Sequence, residues 1–178
     1  MLPKKNKVAI LPTGDEIQSG IVADTNSPAI AELVTRIFPD LEPVILKAAA
    51  DSEEDLESIF GRIIKEGYAL CIPIGGSGGG RRFDPRLSKD CTHEVMESTL
   101  DRIAFREIYG SNGHLWSRLV VGQAGDTYFF NVPGPWAEAI PAAEAGLRWF
   151  AKEDSTDLDG WVETVAAAVR AQYPNQKE

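Results

Sequence analysis

Five glycines stand within six residues at Gly75-Gly76-Ser77-Gly78-Gly79-Gly80, followed at once by Arg81-Arg82-Phe83-Asp84. Such a run contributes no packing and costs chain entropy. Its value is local: glycine reaches positive φ and lets a ligand approach bare backbone N–H groups, which is what an anion nest requires. Arg81 and Arg82 add positive charge beside it, suited to phosphate. Carboxylates at Asp15, Glu16, Asp51 and Asp84 complete a set that would hold Mg²⁺ against a phosphate or orient a nucleophile. Each carboxylate also has a structural reading. Asp84 would cap a helix, Asp51 would be a turn residue ahead of Ser52, and Asp15-Glu16 would be a solvated pair. The spacing excludes two better-known phosphate loops. Gly75 and Gly80 are placed as in a P-loop, but Arg81 stands where its lysine belongs. Gly76-x-Gly78 is followed at the third position by Arg81, and it follows the third apolar strand rather than the first, so it is no dinucleotide fingerprint. The remaining alternative is a flexible linker.

The elements that must position these residues alternate between strand and helix. Val8 to Leu11 is a short buried strand ended by Pro12-Thr13-Gly14. Ile30, Leu33, Val34, Ile37 and Phe38 fall on one helical stripe, with Ser27 as the expected N-cap and Pro28 in the first position. Val44 to Leu46 is a second strand. Leu56, Ile59, Phe60, Ile63 and Ile64 form a second stripe, opened by Ser52 with Asp55 in a capping-box arrangement and closed by Gly67. Tyr68 to Ile74 is apolar throughout, as in a strand covered on both faces. This β-α-β-α-β order predicts a parallel sheet with helices on its faces. A helix is then expected from Asp84-Pro85 to about Leu100. A hairpin follows, with Leu119–Val121 and Thr127–Val132 flanking Gln123-Ala124-Gly125-Asp126. Trp136, Ile140, Ala143, Leu147 and Phe150 make one further helical stripe, and Leu158, Trp161, Val162, Val165, Val169 and Tyr173 make another. The last stripe completes the core or forms a subunit contact; its periodicity is the same in both cases.

In an open parallel sheet, ligands bind outside the carboxyl ends of the strands. That rule selects three loops: Thr13-Gly14-Asp15-Glu16, Ala49-Ala50-Asp51 and the glycine run. Other residues say less. His93, at helical spacing to Glu97, is expected on the surface, and His114 in a loop, where a ligand contact depends on unseen partners. Neither Cys71 nor Cys91 has a neighbouring base to activate it. Trp136 opens a core stripe, yet its position after Pro133-Gly134-Pro135 would also suit a pocket rim.

Composition bounds the partners. The 178 residues carry 27 acidic and 18 basic side chains, a formal charge of −9, with 43% hydrophobic and 25% charged residues. These values fit one ordinary globular domain over 1–178, with its core at about 7–150 and a carboxyl-terminal helix at about 158–173. They argue against a nucleic-acid binder, which needs a cationic surface. No apolar run reaches the roughly 18–20 residues of a membrane span, and the apolar stretch near Val8 is too short for a signal peptide. Two isolated cysteines make no disulfide framework, so a cytoplasmic location is expected. Arg81, Arg82, Arg86 and Lys89 make the glycine loop locally cationic, which favours a small phosphate-bearing ligand.

Four motifs in order carry a family resemblance: Thr13-Gly14-Asp15-Glu16-Ile17; Gly20-x-x-x-Asp24-Thr25-Asn26-Ser27; Gly75-Gly76-Ser77-Gly78; and Asn131-Val132-Pro133-Gly134. Together they resemble the molybdopterin-binding domain shared by MoaB/MogA proteins, gephyrin-like proteins, the third domain of MoeA and the amino-terminal domain of CinA, over about residues 7 to 150. The resemblance implies a three-layer α/β/α sandwich with a mostly parallel central sheet and, in stand-alone members, a trimer. It implies a molybdopterin or nucleotide ligand and, in some members, adenylyl transfer from Mg-ATP. Asp51 and Asp84 are the nearest positions to the aspartates that hold Mg²⁺ in those members. Thr13, Gly14, Asp15, Asp24, Asn26, Gly75, Gly76, Ser77, Gly78, Arg81 and Arg82 would face the ligand, with Pro133 and Gly134 shaping the pterin side. Two departures stand out. Ile74 replaces the threonine of the usual Thr-Gly-Gly, and Phe83 falls where the second aspartate aligns without a gap, leaving Asp84 one residue late. Three functions follow: adenylyl transfer in molybdenum cofactor synthesis, a non-catalytic molybdopterin- or nucleotide-binding module, and a CinA-like nucleotide pyrophosphatase.

Overall fold

The apolar runs become neighbouring strands. A computed structural model describes residues 6–78, 89–152 and 156–173. The elements are β1 (Lys7–Pro12), α1 (Asp15–Gln18), α2 (Asn26–Ile37), β2 (Glu42–Ile45), α3 (Glu53–Glu66), β3 (Leu70–Ile74), α4 (Thr92–Thr99), β4 (Arg102–Tyr109), β5 (Leu115–Ala124), β6 (Thr127–Phe130), α5 (Trp136–Phe150) and α6 (Leu158–Arg170). One sheet runs in the order β2-β1-β3-β6-β5-β4. β1 pairs in parallel with β2 and β3, and β3 in parallel with β6; β5 is antiparallel to both β6 and β4.

The period-2 alternation of strand side chains builds two cores. Val8 and Ile10 of β1, with Leu70 and Ile72 of β3, meet Ile30, Leu33 and Val34 of α2 and the inner faces of α5 and α6. Ala9, Leu11 and Cys71 point the other way, onto Leu56, Phe60 and Ile63 of α3 and Val95 and Met96 of α4. Helices therefore cover both faces of a mostly parallel sheet, which gives the expected α/β/α layering. α6 is part of the first core: Leu158, Trp161, Val162, Val165, Ala166 and Val169 are all buried. Trp161 is completely buried among the rings of Tyr128, Phe130 and Phe150. Removing an aromatic side chain of this size from a packed core costs about 3–5 kcal/mol.

Local signals held at α3, where the Ser52 hydroxyl accepts the Asp55 N–H at 3.3 Å and Gly67 takes φ 75° at the C-cap. They shifted at α2, whose N-cap is Thr25 rather than Ser27. The Asp24 carboxylate accepts the Ser27 N–H at 3.0 Å, so the capping is done from one residue further back. Pro28 is still tolerated, because first-turn N–H groups lack intrahelical partners. The expected helix from Asp84 begins outside the described residues. Within them, Lys89–Cys91 is not helical and α4 starts at Thr92. The hairpin of β5 and β6 is as expected, but the sequence reading missed β4. Ile103, Phe105 and Tyr109 of β4 are exposed while Ala104 and Ile108 are buried. With apolar side chains on both faces of this edge strand, the alternation that marks a strand is blurred. Among the described residues no helix is long and apolar enough to cross a membrane.

Candidate functional site

A cleft of about 830 Å³ opens where β1, β3 and β6 end. Thr13 from β1, Gly75–Gly78 from β3 and Pro133-Gly134 after β6 line it, together with Asp24 and Asn26 at the start of α2. Residues from all four sequence motifs therefore meet at one edge of the sheet.

The floor is a hydrogen-bonded frame. The Thr13 N–H and hydroxyl both donate to Ile74 O, at 2.9 Å each, and the buried Thr92 hydroxyl donates to Thr13 Oγ1 at 3.2 Å. Gly75 N–H donates to Val132 O, and Thr92 N–H donates to Gly76 O. Gly75 and Gly76 have φ of 89° and 62°, the left-handed region that glycine alone enters without strain. A methyl group on Gly76 would lie 2.0 Å from Thr92 Oγ1, so the loop is packed flush on α4. The Ser77 and Ser117 hydroxyls lie 3.3 Å apart, and Arg118 N–H donates to Ser77 O, which ties the loop to β5.

His93, expected on the surface, is buried beneath this loop, with Nδ1 3.2 Å from Gly76 O. Its spacing to Glu97 suits an outer face, but α4 turns its first residues, Thr92 and His93, inward against the loop. Burial, helped by the nearby Asp51 carboxylate, raises the thiol pKa of Cys91, at the N-cap of α4, to about 11, and burial raises that of Cys71 further. Neither thiol is activated.

The motif around Asn131 has a structural role. The fully buried Asn131 accepts Val120 N–H at 2.7 Å and donates to Arg118 O at 3.0 Å. Asn26 bridges the cleft by donating to Gly134 O at 2.7 Å, while its Oδ1, though buried, has no hydrogen-bond partner among the described residues. An acceptor in that state at a cleft wall fits a ligand that brings a donor.

Gly14, Asp15 and Asp51 do not line the cleft. Asp51 is 6% exposed, and the two aspartates clasp each other: Asp15 N–H donates to Asp51 Oδ2 at 3.3 Å and Asp51 N–H to Asp15 Oδ1 at 3.0 Å. Of the three expected loops, the first and third form the cleft walls. The loop carrying Ala49–Asp51 braces the first from behind through the Gly14 N–H to Ala49 O bond. Arg81, Arg82, Asp84 and Arg86 lie outside the described residues. Lys89 donates to Glu94 at 2.7 Å, away from the cleft. Among the described residues the lining carries Glu16, Asp24, Asp90 and Glu138 and no cationic side chain, and no three potential metal ligands gather. His114 is exposed in the turn between β4 and β5 and is not a lining residue.

Sequence reasoning missed the far wall. Leu115, Trp116 and Ser117 enter from β5, and Glu138 and Tyr173 from α5 and the residues after α6. Trp136 stands 51% exposed at the rim instead of in the core; the buried stripe of α5 runs through Ala139, Ala142, Ala143, Gly146 and Leu147. Its position after Pro133-Gly134-Pro135 was the signal that pointed here.

The family model described as "Probable molybdopterin binding domain" matches residues 9–152, which spans this frame and its motifs. The chain belongs to that family. Solved structures share the fold. MoaB from Thermus thermophilus, described as a molybdopterin biosynthesis enzyme, superposes with a TM-score of 0.62 at 22% identity, over 92% of this chain and 96% of that one. CinA from Thermoplasma acidophilum, described as of unknown function, gives 0.59 at 17% identity, over 83% and 98%. MoaB from Pyrococcus furiosus, described as a tungsten cofactor synthesizing protein, gives 0.53 at 20% identity, over 82% and 90%. No curated protein matches the chain by sequence.

Proposed function

We propose that this protein binds a molybdopterin, or its nucleotide form, in the cleft at the ends of β1, β3 and β6, and acts in molybdenum cofactor biosynthesis. The observation that carries this reading is the convergence of all four family motifs on one cleft of about 830 Å³, a size suited to a small cofactor. Because Gly75 N–H is already engaged by Val132 O, the donors for a ligand phosphate come from Gly76, Ser77 and Gly78. Asn26 Oδ1 accepts from the ligand's N–H or O–H groups, and Pro133-Gly134 bounds the ring side. Arg81 and Arg82 supply the countercharge that the described lining lacks.

Adenylyl transfer is the second reading, favoured by Asp51 at the same edge of the sheet, with Asp84 as its expected counterpart. Asp51 is nearly buried and does not line the cleft, so binding leads, and catalysis requires its loop to bring the carboxylate to the ligand. ATP and Mg²⁺ belong to the second reading alone, and assembly as a trimer comes from the resemblance.

One experiment sorts these readings. Purified protein is titrated with molybdopterin by equilibrium dialysis, then incubated with molybdopterin, Mg²⁺ and ATP while pyrophosphate release is followed. Saturable binding that weakens in Asn26→Ala, without pyrophosphate release, is the expected result. Turnover abolished by Asp51→Ala and Asp84→Ala would establish adenylyl transfer. Hydrolysis of ADP-ribose without pterin would point to the pyrophosphatase function. Absence of molybdopterin binding would refute the proposal.

A further inference from the structure

The far wall of the cleft is aromatic, and a β-bulge directs it. Ile108 of β4 pairs with Ser117 of β5, but the next residue, Tyr109, pairs with Leu115, so Trp116 is the extra residue. In regular alternation Trp116 would share the face of Arg118, which is bound to Glu97 on α4. Its ring instead meets Tyr173, beyond the end of α6 on the opposite face, edge-on at a centroid distance of 5.2 Å. Bulges commonly re-aim a side chain next to a site.

Two further contacts hold the indole in place. Gly110 packs so closely that an added methyl group would lie 2.3 Å from Trp116 Nε1. Tyr173 is in turn anchored by its hydroxyl, which donates to the Glu138 carboxylate. That bond pushes the phenol pKa up to about 12. Trp116 remains 38% exposed, and it, Tyr173 and the rim residue Trp136 all line the cleft. The cleft thus has a glycine floor for an anion and a pre-set aromatic wall.

We propose that Trp116, positioned by Tyr173 and Glu138, is the residue that stacks on the flat heteroaromatic ring of the bound ligand, so that the segment after α6 takes part in ligand specificity. Aromatic rings bind flat heterocycles through their π-faces, and a side chain already fixed loses little freedom on binding. The inference rests on the cleft being the ligand site as proposed above. It adds a determinant outside the four motifs.

The test uses three phosphates as probes: 6-hydroxymethylpterin phosphate, AMP and ringless ribose 5-phosphate. Dissociation constants are measured for the wild type and for W116A, W116L and Y173F, with melting temperatures as a folding check. Trp116→Ala is expected to weaken whichever ring-bearing probe binds roughly tenfold, within the range for loss of one base-stacking aromatic, and to change ribose 5-phosphate binding less than twofold. Trp116→Leu keeps bulk without a π-face and is expected to behave the same, with ligand quenching of the Trp116 emission lost. Tyr173→Phe is expected to give an intermediate loss. The pterin and AMP arms identify the ring. Equal loss for ringed and ringless probes, or no loss in either Trp116 variant, would overturn the stacking role while leaving the binding site intact. Failure of the wild type to bind any of the three, or molybdopterin itself, would overturn the binding function and this inference with it.

Discussion

Gly76→Ala is the most informative single perturbation of the frame beneath the cleft. Two costs add. The first is conformational: φ of 62° is a left-handed backbone, and holding a non-glycine residue there costs about 1–3 kcal/mol. The second is steric. The new methyl group would stand 2.0 Å from Thr92 Oγ1, 2.8 Å from Thr92 Cβ and 3.1 Å from Thr13 Oγ1. Thr92 is fully buried, and its Cβ is not the free end of a long side chain, so relief requires moving the start of α4 or the loop. Overpacking of this kind costs about 1–3 kcal/mol. A combined cost of about 4 kcal/mol lowers the melting temperature of a chain this size by about 8–16 °C. Gly78→Ala is the internal control. Gly78 has no positive φ, and among the described residues the one close approach to its added methyl group would be a carboxylate oxygen of Asp90, at 2.6 Å, the far end of a side chain rather than backbone. It should shift melting by less than about 3 °C. Differential scanning calorimetry of both variants reads this contrast. In the double variant G76A/T92A the missing hydroxyl removes the closest clash, so the cost falls below the sum of the two single costs. A Gly76→Ala protein that melts within about 2 °C of wild type, or no less stably than Gly78→Ala, would refute the packing of the glycine loop on α4.

Two further outcomes follow from the same frame. Asn131→Ala leaves Val120 N–H and Arg118 O without their buried partner and is expected to cost about 2–6 kcal/mol in urea denaturation, at about 1–3 kcal/mol per stranded group; a loss under about 1 kcal/mol would show that these groups find other partners. The Tyr173 anchor should respond to alkali. Its folded pKa of about 12 lies above the ordinary tyrosine value of 10.0, so the contribution of the Glu138 bond is whole below about pH 10 and disappears as pH rises through about 12. Tyrosinate absorbance and Trp116 emission should change together in that window, and Tyr173→Phe should remove the coupling; ionisation of Tyr173 near pH 10 would contradict the anchor.

What was legible in the sequence follows from how local each signal is. The Val8–Leu11 and Tyr68–Ile74 runs announced central parallel strands because burial on both faces leaves no polar position to interrupt them. Ser52, Asp55 and Gly67 bounded α3 because caps depend on neighbours three or four residues away. β4 escaped because an edge strand with one uncovered face carries apolar residues on both sides. His93 was assigned to the surface although it is buried, and Trp136 was left between core and rim, since helical periodicity gives a stripe but not the direction in which it faces. Among the residues that line the cleft, Thr13 and Gly75–Gly78 were legible because loops at the carboxyl ends of parallel strands converge by topology, whereas Asn26 and Pro133-Gly134 came from the family resemblance. Trp116 and Tyr173 were not, because their meeting depends on a bulge and on the path of α6, which no local pattern encodes.

That division separates two kinds of residue at the cleft. The four motifs mostly serve as frame: Asp24 caps α2, Asn26 ties α2 to Gly134, Thr13 braces β1 on β3, Asn131 braces β5, and Asp15 and Asp51 clasp each other. A frame of this kind fixes the shape of a cleft but does little to choose what fills it. The side chains that would choose, at Trp116, Trp136, Glu138 and Tyr173, come from outside the motifs. Arg81, Arg82 and Arg86, on which the expectation of a locally cationic pocket mainly rests, lie outside the described residues, and the described wall is acidic and aromatic. Under the proposed function, a bound phosphate finds its countercharge outside the described wall or brings a cation with it, and the ring provides the choice among ligands. Changes in the frame should then appear as lost stability together with lost binding of every ligand. Changes in the aromatic wall should instead alter the order of preference among ligands in a protein that still folds.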